Sequence, residues 1–358
     1  MIVTEEKSVG GQLGCPSGAR MRAAHEDHLD RFKEITKAWR RPAMVVAFAA
    51  VLDVLFTAIR AFCARGVPFV GWKEVWAISI FEGSSPFDLA PAKGVRMPGL
   101  TANNVTDVPA RFVADPFLVI DDGLRYLFFE VFNEKTNRGE IGLATSADGV
   151  SWKYRQIVLK EPFHMSYPHV FAWDGEHYMI PETGQAASVR LYKATEFPTQ
   201  WQWVGTLLSG REFTDPSIFR FADKWWLFVS NAKCDVLRLY FADDLLGPWR
   251  EHPRSPVIER NPHIARPAGR VLVTKDGIYR FAQDDAPSYG RQVRAFEILE
   301  LTSTSYRERP ALERPVLKAS RSGWNADGMH HLDTHFVDGR WISSVDGKTA
   351  SLAFGLQY

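Results

Sequence analysis

Four residues with chemically capable side chains each stand directly before a proline: Asp115-Pro116, Tyr167-Pro168, Asp215-Pro216 and Arg266-Pro267. The prolines are 52, 48 and 51 residues apart. A fifth polar residue, His331, opens a weaker copy of the same phrase. A second polar residue follows each in turn, at Glu130, Glu182, Asn231, Asp284 and Asp346. Two carboxylates facing one another are what glycoside hydrolysis needs, one as acid and one as base or nucleophile, about 5–5.5 Å apart for retention and about 6.5–9.5 Å for inversion. Asp115 is the candidate base or nucleophile, Glu182 the candidate acid, and Asp215 the orienting carboxylate. The competing reading of Asp115 and Asp215 is a turn role, because Asp before Pro readily begins a bend.

The elements that must carry these residues are short strands. Each phrase joins an apolar strand, a turn and an aromatic strand, as in ADPFLVIDDGLRYLFFE (114–130), YPHVFAWDGEHYMIPE (167–182), TDPSIFRFADKWWLFVSN (214–231), RPAGRVLVTKDGIYRFAQD (266–284) and HLDTHFVDGRWISSVD (331–346). Asp-Gly between strands is a strong hairpin signal, since both turn residues must accept positive φ. A second hairpin follows in each unit, as in EIGLATS and WKYRQIVL. Four antiparallel strands in a repeat of about fifty residues make the blade of a β-propeller. The expected fold is thus all-β, a five-bladed propeller over 72–358, with VWAISIF (75–81) supplying a strand missing from the last blade and closing the ring. Inner strands of a propeller line the central channel, so Asp115, Tyr167, Asp215, Arg266 and His331 are expected to converge on one funnel. Glu130, Glu182, Asn231, Asp284 and Asp346 should surround them. Tyr167, His169 and Tyr289 offer ring faces and polar tips to a sugar. Trp152, Trp201, Trp203 and Trp249 read as packing between blades.

Composition narrows the function classes. Lys+Arg 43 against Asp+Glu 42 leaves a net charge of +1, which argues against a nucleic-acid partner. Three scattered cysteines give neither a disulfide framework nor a Cys-x-x-Cys metal site, consistent with a reducing, cytoplasmic setting. No phosphate-cradling glycine loop, Gly-x-Ser-x-Gly elbow or dinucleotide fingerprint occurs, so no cofactor is expected. His331, Asp333 and His335 would share one strand face, but a metal is not expected there. Residues 1–41 read as a poorly ordered polar arm and 42–66 as a hydrophobic helix built on AMVVAFAAVLDVLFTAI (43–59). Its 17 residues sit at the lower limit of a membrane span, and Asp53 lies near the middle. Three readings stand: a packed or partner-binding helix, an anchor at the inner membrane face, or a non-native upstream extension.

The motifs FVADPF, SYPHVFAWDGEHYMIPETG, LYKATEFPTQW, FTDPSIF, LLGPW and ARPAGR resemble the N-terminal propeller domain of plant glucosamine inositolphosphorylceramide transferases. More distantly, ADPF, TDPS, SADGVSW (146–152) and FADDLLGPW (241–249) resemble family 43 glycoside hydrolases. The first likeness runs from about 72 to about 350. It implies a carbohydrate or glycolipid ligand, and, because the plant glycosyltransferase domain has no counterpart in these residues, a separate glycosyltransferase as partner. The hydrolase likeness implies inner aspartates at Asp115 and Asp215. It also implies a Glu before Gly-Pro or Ala-Pro, where this chain has Tyr167 and Arg266 instead. Arg cannot donate a proton near neutrality, but its fork suits a carboxylate or phosphate.

The expectation is therefore a carbohydrate-active protein of glycan or glycolipid biosynthesis that binds a sugar in the funnel and transfers it or presents it. Glu130, Tyr167, His169, Arg266, Asp284, Tyr289, His331 and Asp333 are the candidate binding residues. A paired-carboxylate glycoside hydrolase and a non-catalytic glycan-binding or protein-interaction scaffold are the alternatives.

Overall fold

The computed structural model describes residues 70–354, with side chains over 73–350. The arm expected at 1–41 and the helix expected at 42–66 lie outside the described residues. Within them the chain forms five antiparallel blades in a propeller. Blade 1 runs outward through Ala110–Asp121, Leu124–Asn133, Arg138–Ser146 and Lys153–Leu159, and blade 2 through Ser166–Trp173, Glu176–Glu182, Ser188–Glu196 and Gln200–Ser209. Blade 3 follows with Phe213–Phe221, Lys224–Asn231, Leu237–Ala242 and Arg250–Glu251. In blade 4 the inner strand is split into Arg266–Pro267 and Leu272–Thr274, both paired with Gly277–Asp284.

Blade 5 closes the ring with strands from both ends of the described chain. Leu332–Val337 and Arg340–Phe354 pair inside, and Val70–Ser85 and Asp88–Pro91 complete the sheet. The early strand is thus where the VWAISIF run required it, but the N-terminal part supplies two strands rather than one. Val70 pairs with Phe354 and Ser79 with Val345, whose other partner is Leu332, so the two long strands run on as a ribbon past the start of the inner strand. This ribbon rises at the end of the propeller where inner strands begin.

The first turn of every blade holds two residues: Asp122-Gly123, Asp174-Gly175, Ala222-Asp223, Lys275-Asp276 and Asp338-Gly339. In four of the five, both residues have positive φ, as a tight right-twisting hairpin demands. Blades are buried on both faces, which explains aromatic strands such as LRYLFFEVFN in place of strict alternation. Leu127 and Phe129 pack toward blade 5 beside Ile78, while Phe128 packs toward Met179 and Tyr192 of blade 2. Similar clusters fill the other three blade junctions, around Leu191 and Leu227, Phe228 and Ile298, and Phe281 and Val345. Trp152, Trp201 and Trp249 pack as expected. Trp203 does not: it is exposed, and its indole N–H donates to the Gly205 carbonyl.

Candidate functional site

Pro lacks an N–H and is tolerated inside a sheet only at an edge or bulge. Pro116, Pro168 and Pro216 sit at bulges, where the ladder shifts between Ala114 and Phe117, Ser166 and His169, and Thr214 and Ser217. The residue before each proline is left-handed: Asp115 at φ 54°, Tyr167 at 48° and Asp215 at 49°. A bulge re-aims one side chain off the strand. Turn geometry and site placement, competing readings of the aspartates, are here the same feature.

Arg266 of blade 4 closes on Asp215 of blade 3, Nε to Oδ2 at 2.6 Å and Nη2 to Oδ1 at 3.4 Å. The same Oδ2 accepts from Gln283 Nε2 at 2.7 Å. Glu182 of blade 2 reaches across, its Oε2 accepting the Asp215 N–H at 3.2 Å and lying 4.0 Å from Arg266 Nη2. The guanidinium also stacks 5.0 Å over Tyr289, whose ring meets Trp76 and His330 edge-on. On the other side Asp115 accepts the Tyr167 N–H at 3.3 Å, and its Oδ1 lies 3.6 Å from His330 Nε2. His330 Nδ1 bonds Asp346 at 2.8 Å. Asp346 also accepts the N–H groups of Asp115 and His331, tying blade 5 to blade 1. Glu130 joins this group: its Oε1 is buried with no hydrogen-bond partner and faces His164 Nε2 at 3.6 Å. His164 Nδ1 accepts the Gly139 N–H, so its own proton sits on Nε2 and points toward Glu130.

Burial and mutual repulsion set the protonation. Burial pushes Asp115 up to about 7, with Asp215 and Asp346 adding to the rise and His330 and Arg266 opposing it. Burial also raises Glu130 and Glu182 well above the usual carboxylate range, reinforced by Asp115 and Glu182 for the first and by Asp215 for the second. Burial opposes charge on His330, but Asp346 and Asp115 outweigh it and raise its basicity. Burial lowers His164 to about 4. The floor of the funnel thus holds three carboxyls biased toward their acid form around one ion pair. Such groups donate a hydrogen bond or a proton near neutral pH. Among the described residues, Asp115, His330 and Asp346 could hold a metal ion, with ligand atoms within 4.8 Å of one another, although His330 already uses Nδ1 for Asp346.

Of the residues expected at the funnel, Asp115, Glu130, Glu182, Asp215, Arg266 and Tyr289 come together. Tyr167 instead fills the channel beneath them. It is fully buried, accepts the Gly269 N–H at 2.6 Å and contacts Ser217 Oγ at 2.7 Å. His331 is fully buried against Phe117 and Tyr167. Asp284 spends both oxygens on His263, Gln292 and Arg294. Asn231 caps its own turn through Asp235 and Val236. His169 and Asp333 lie deeper in the channel, joined through Arg270, which places Nε 2.9 Å from Asp333 and Nη1 3.3 Å from His169. His335 Nε2 bonds the other Asp333 oxygen at 2.9 Å, so two residues of the strand face, Asp333 and His335, join Arg270 in an ion-pair network, and His331 takes no part in it. Sequence reasoning missed His164 and Gln283 and did not select His330. His164 lies in a loop with no repeat signal, whereas the adjacent pair His330-His331 was visible and only its phase was not.

The comparisons place this geometry in a family. Residues 72–348 match the sequence profile described as "Glucosamine inositolphosphorylceramide transferase 1, N-terminal", and the chain belongs to that family. It is 35% identical over 296 residues to glucosamine inositolphosphorylceramide transferase 1 of Oryza sativa subsp. japonica, covering 76% of this chain and 40% of that protein. The Arabidopsis thaliana protein of the same name is 34% identical over 299 residues, covering 76% and 39%. The chain therefore spans about two fifths of the length of these relatives. Among solved structures, a glycosyl hydrolase from Bacteroides ovatus superposes with a TM-score of 0.53 at 12% identity, covering 71% of this chain and 89% of that one. The catalytic domain of the Coprinopsis cinerea GH62 alpha-L-arabinofuranosidase gives 0.52 at 14%, covering 73% and 84%. At these identities the likeness concerns the fold alone.

Proposed function

We propose that this member of the glucosamine inositolphosphorylceramide transferase N-terminal family serves glycolipid biosynthesis by binding the sugar-bearing headgroup of a glycolipid in the funnel. The headgroup would lie over Asp115, Glu130, Glu182, Asp215 and Arg266. The observation that carries this reading is the set of acid-biased carboxyls around the Asp215–Arg266 pair. Neutral carboxyls donate to sugar hydroxyls, which suits a polyhydroxylated ring better than an apolar ligand. The names of the curated relatives support the glycolipid assignment.

In this reading Asp115, held near neutrality, moves or holds the proton of the reacting hydroxyl, and Glu182 steadies the bulge of Asp215 while facing the ligand. Arg266 balances Asp215, donates from Nη1 to Cys234 Sγ, and is the residue that would face an acidic substituent of the headgroup. A separate glycosyltransferase supplies the transfer step if the propeller only presents the acceptor. An anchor at 43–59, one of the three readings of that segment, would hold the protein at the inner membrane face. Hydrolysis is the second reading, favoured by the raised carboxyls of Glu182 as acid and Asp115 as base.

The test is mass spectrometry of a mixed panel of oligosaccharides, glycolipids and sugar nucleotides incubated with wild type and with Asp115→Asn/Asp215→Asn. A wild-type-only product heavier by a sugar supports transfer, and one gaining water supports hydrolysis. An unchanged panel with retained glycolipid binding supports presentation, and no binding of any member rejects the site.

A further inference from the structure

The central channel is not open from end to end. Phe117, Tyr167, Ser217, His331 and Leu332, all essentially buried, form a plug, with Gly269 held by the Tyr167 hydroxyl. Beyond the plug, at the ends of the inner strands, lies a separate cup of about 470 Å³ walled by blades 2, 3, 4 and 5. It shares no lining residue with the funnel. Its wall is aromatic. Trp173 and Phe336 are exposed, Phe336 at 62%, and Trp341 packs 5.3 Å from Phe336. Exposed aromatic faces around a concavity are what the ring of a sugar stacks on.

The basic groups line the cup, while the acids that pair with them do not. Arg220 lies 4.6 Å over the Trp173 ring and 5.7 Å over Trp225, and its nearest acid, Asp223, is 3.8 Å away and fully exposed. Arg270 and His335 enter the floor, each partly exposed. The single acid beneath them, Asp333, is fully buried, and its oxygens are taken by Arg270, His335 and the Leu118 N–H. No lining residue of the cup offers a further carboxylate.

We propose that this cup is a second binding site, for a monosaccharide carrying one anionic group, its ring on Trp173 and Trp341 and its anion between Arg220 and the Arg270–His335 floor. A guanidinium over an indole ring can still offer N–H donors to an anion, and the carboxylates that balance the two arginines do not line the cup. The site is independent of the funnel reading, because the plug separates the two.

The experiment is ¹⁹F NMR of the full chain labelled with 5-fluorotryptophan, with Trp173, Trp341 and Trp76 assigned by single Trp→Phe variants. Glucose 6-phosphate should shift Trp173 and Trp341 saturably and leave Trp76, at the funnel, unmoved. Glucose and inorganic phosphate should each bind at least tenfold more weakly, and galacturonate distinguishes a carboxylate from a phosphate preference. Arg220→Gln should weaken glucose 6-phosphate to the level of glucose, while Arg220→Lys recovers part of the difference. Glu182→Gln should change nothing at the cup. No saturable shift at Trp173 or Trp341, equal affinity for phosphate alone, or a shift confined to Trp76 would each overturn the proposal. Retained dispersion of the fluorine resonances shows that a variant is folded.

Discussion

Arg266 and Asp215, on adjacent blades, form the buried ion pair on which the funnel turns, with Nε 2.6 Å from Oδ2 and both side chains almost wholly removed from solvent. Burying two charges is costly, and their attraction offsets that cost only while both are present. Arg266→Met should therefore destabilise the protein by about 3–5 kcal/mol, because Asp215 is left buried and uncompensated. Arg266→Met/Asp215→Leu should recover much of the loss. Urea unfolding of the two singles and the double measures the coupling, and additive losses would show that the pair does not act as a unit.

Protonation gives the protein an unusual pH profile. Asp115, Glu130 and Glu182 have folded-state pKa values above their ordinary ones. The stability they contribute is complete below about pH 4 and is lost as pH rises through the folded values, about 7 for Asp115. Asp333 and Asp346 run the other way, since burial is overcome by Arg270 for the first and by His330 for the second. Their contribution is present above the unfolded value and fades in acid. His164, His169 and His331, whose basicity burial lowers, oppose this trend below about pH 6.5, so melting temperature should fall from about pH 7 to about pH 8, with Asp115→Asn flattening that limb. A wild-type melting temperature that climbs across this range would contradict the protonation scheme.

Tyr167 is fully buried in the channel, its hydroxyl on Gly269 and Ser217. Tyr167→Phe leaves the buried Gly269 N–H without its acceptor, at a cost of about 1–3 kcal/mol. The loss should appear in urea unfolding, while funnel ligand affinity changes less than twofold. A large affinity loss with unchanged stability would return Tyr167 to the binding face.

Gly269 has φ 129°, and a Cβ there would sit 2.0 Å from the Leu332 carbonyl oxygen. The neighbouring Leu332 N–H donates to the Ala268 carbonyl, so the obstacle is backbone and cannot turn aside. Gly269→Ala should cost about 3 kcal/mol or more and should loosen the junction of blades 4 and 5 first. Hydrogen exchange should show lost protection at Leu332 before blades 1 and 2, and uniform loss would argue for a global effect.

The repeat, the five blades and the closing strand were legible because proline spacing and Asp-Gly turns mark strand geometry directly. Asp115 and Asp215 were legible for the same reason, since a Pro inside a strand needs a bulge and a bulge aims the preceding side chain. Depth was not legible. Tyr167 occupies the same backbone position as the two aspartates, yet its longer side chain crosses the channel to Gly269 and Ser217. His169 is two residues further along the same strand, which carries it past the plug to Arg270. Asp284 shows the remaining difficulty: one ladder step separates it from Gln283, and it is Gln283 that reaches Asp215.

The central claim is that a glycolipid headgroup binds over the funnel carboxyls, and Trp76, stacked 4.0 Å from His330, reports on that place. The measurement is the ¹⁹F shift of 5-fluorotryptophan at Trp76 on titration with a detergent-solubilised inositolphosphate glycolipid carrying a terminal sugar. A saturable shift in wild type, weakened at least tenfold by Glu182→Ala and by Asp115→Ala but not by Arg220→Gln, is the predicted result. A shift that survives both funnel substitutions, or none at saturating lipid, would contradict it.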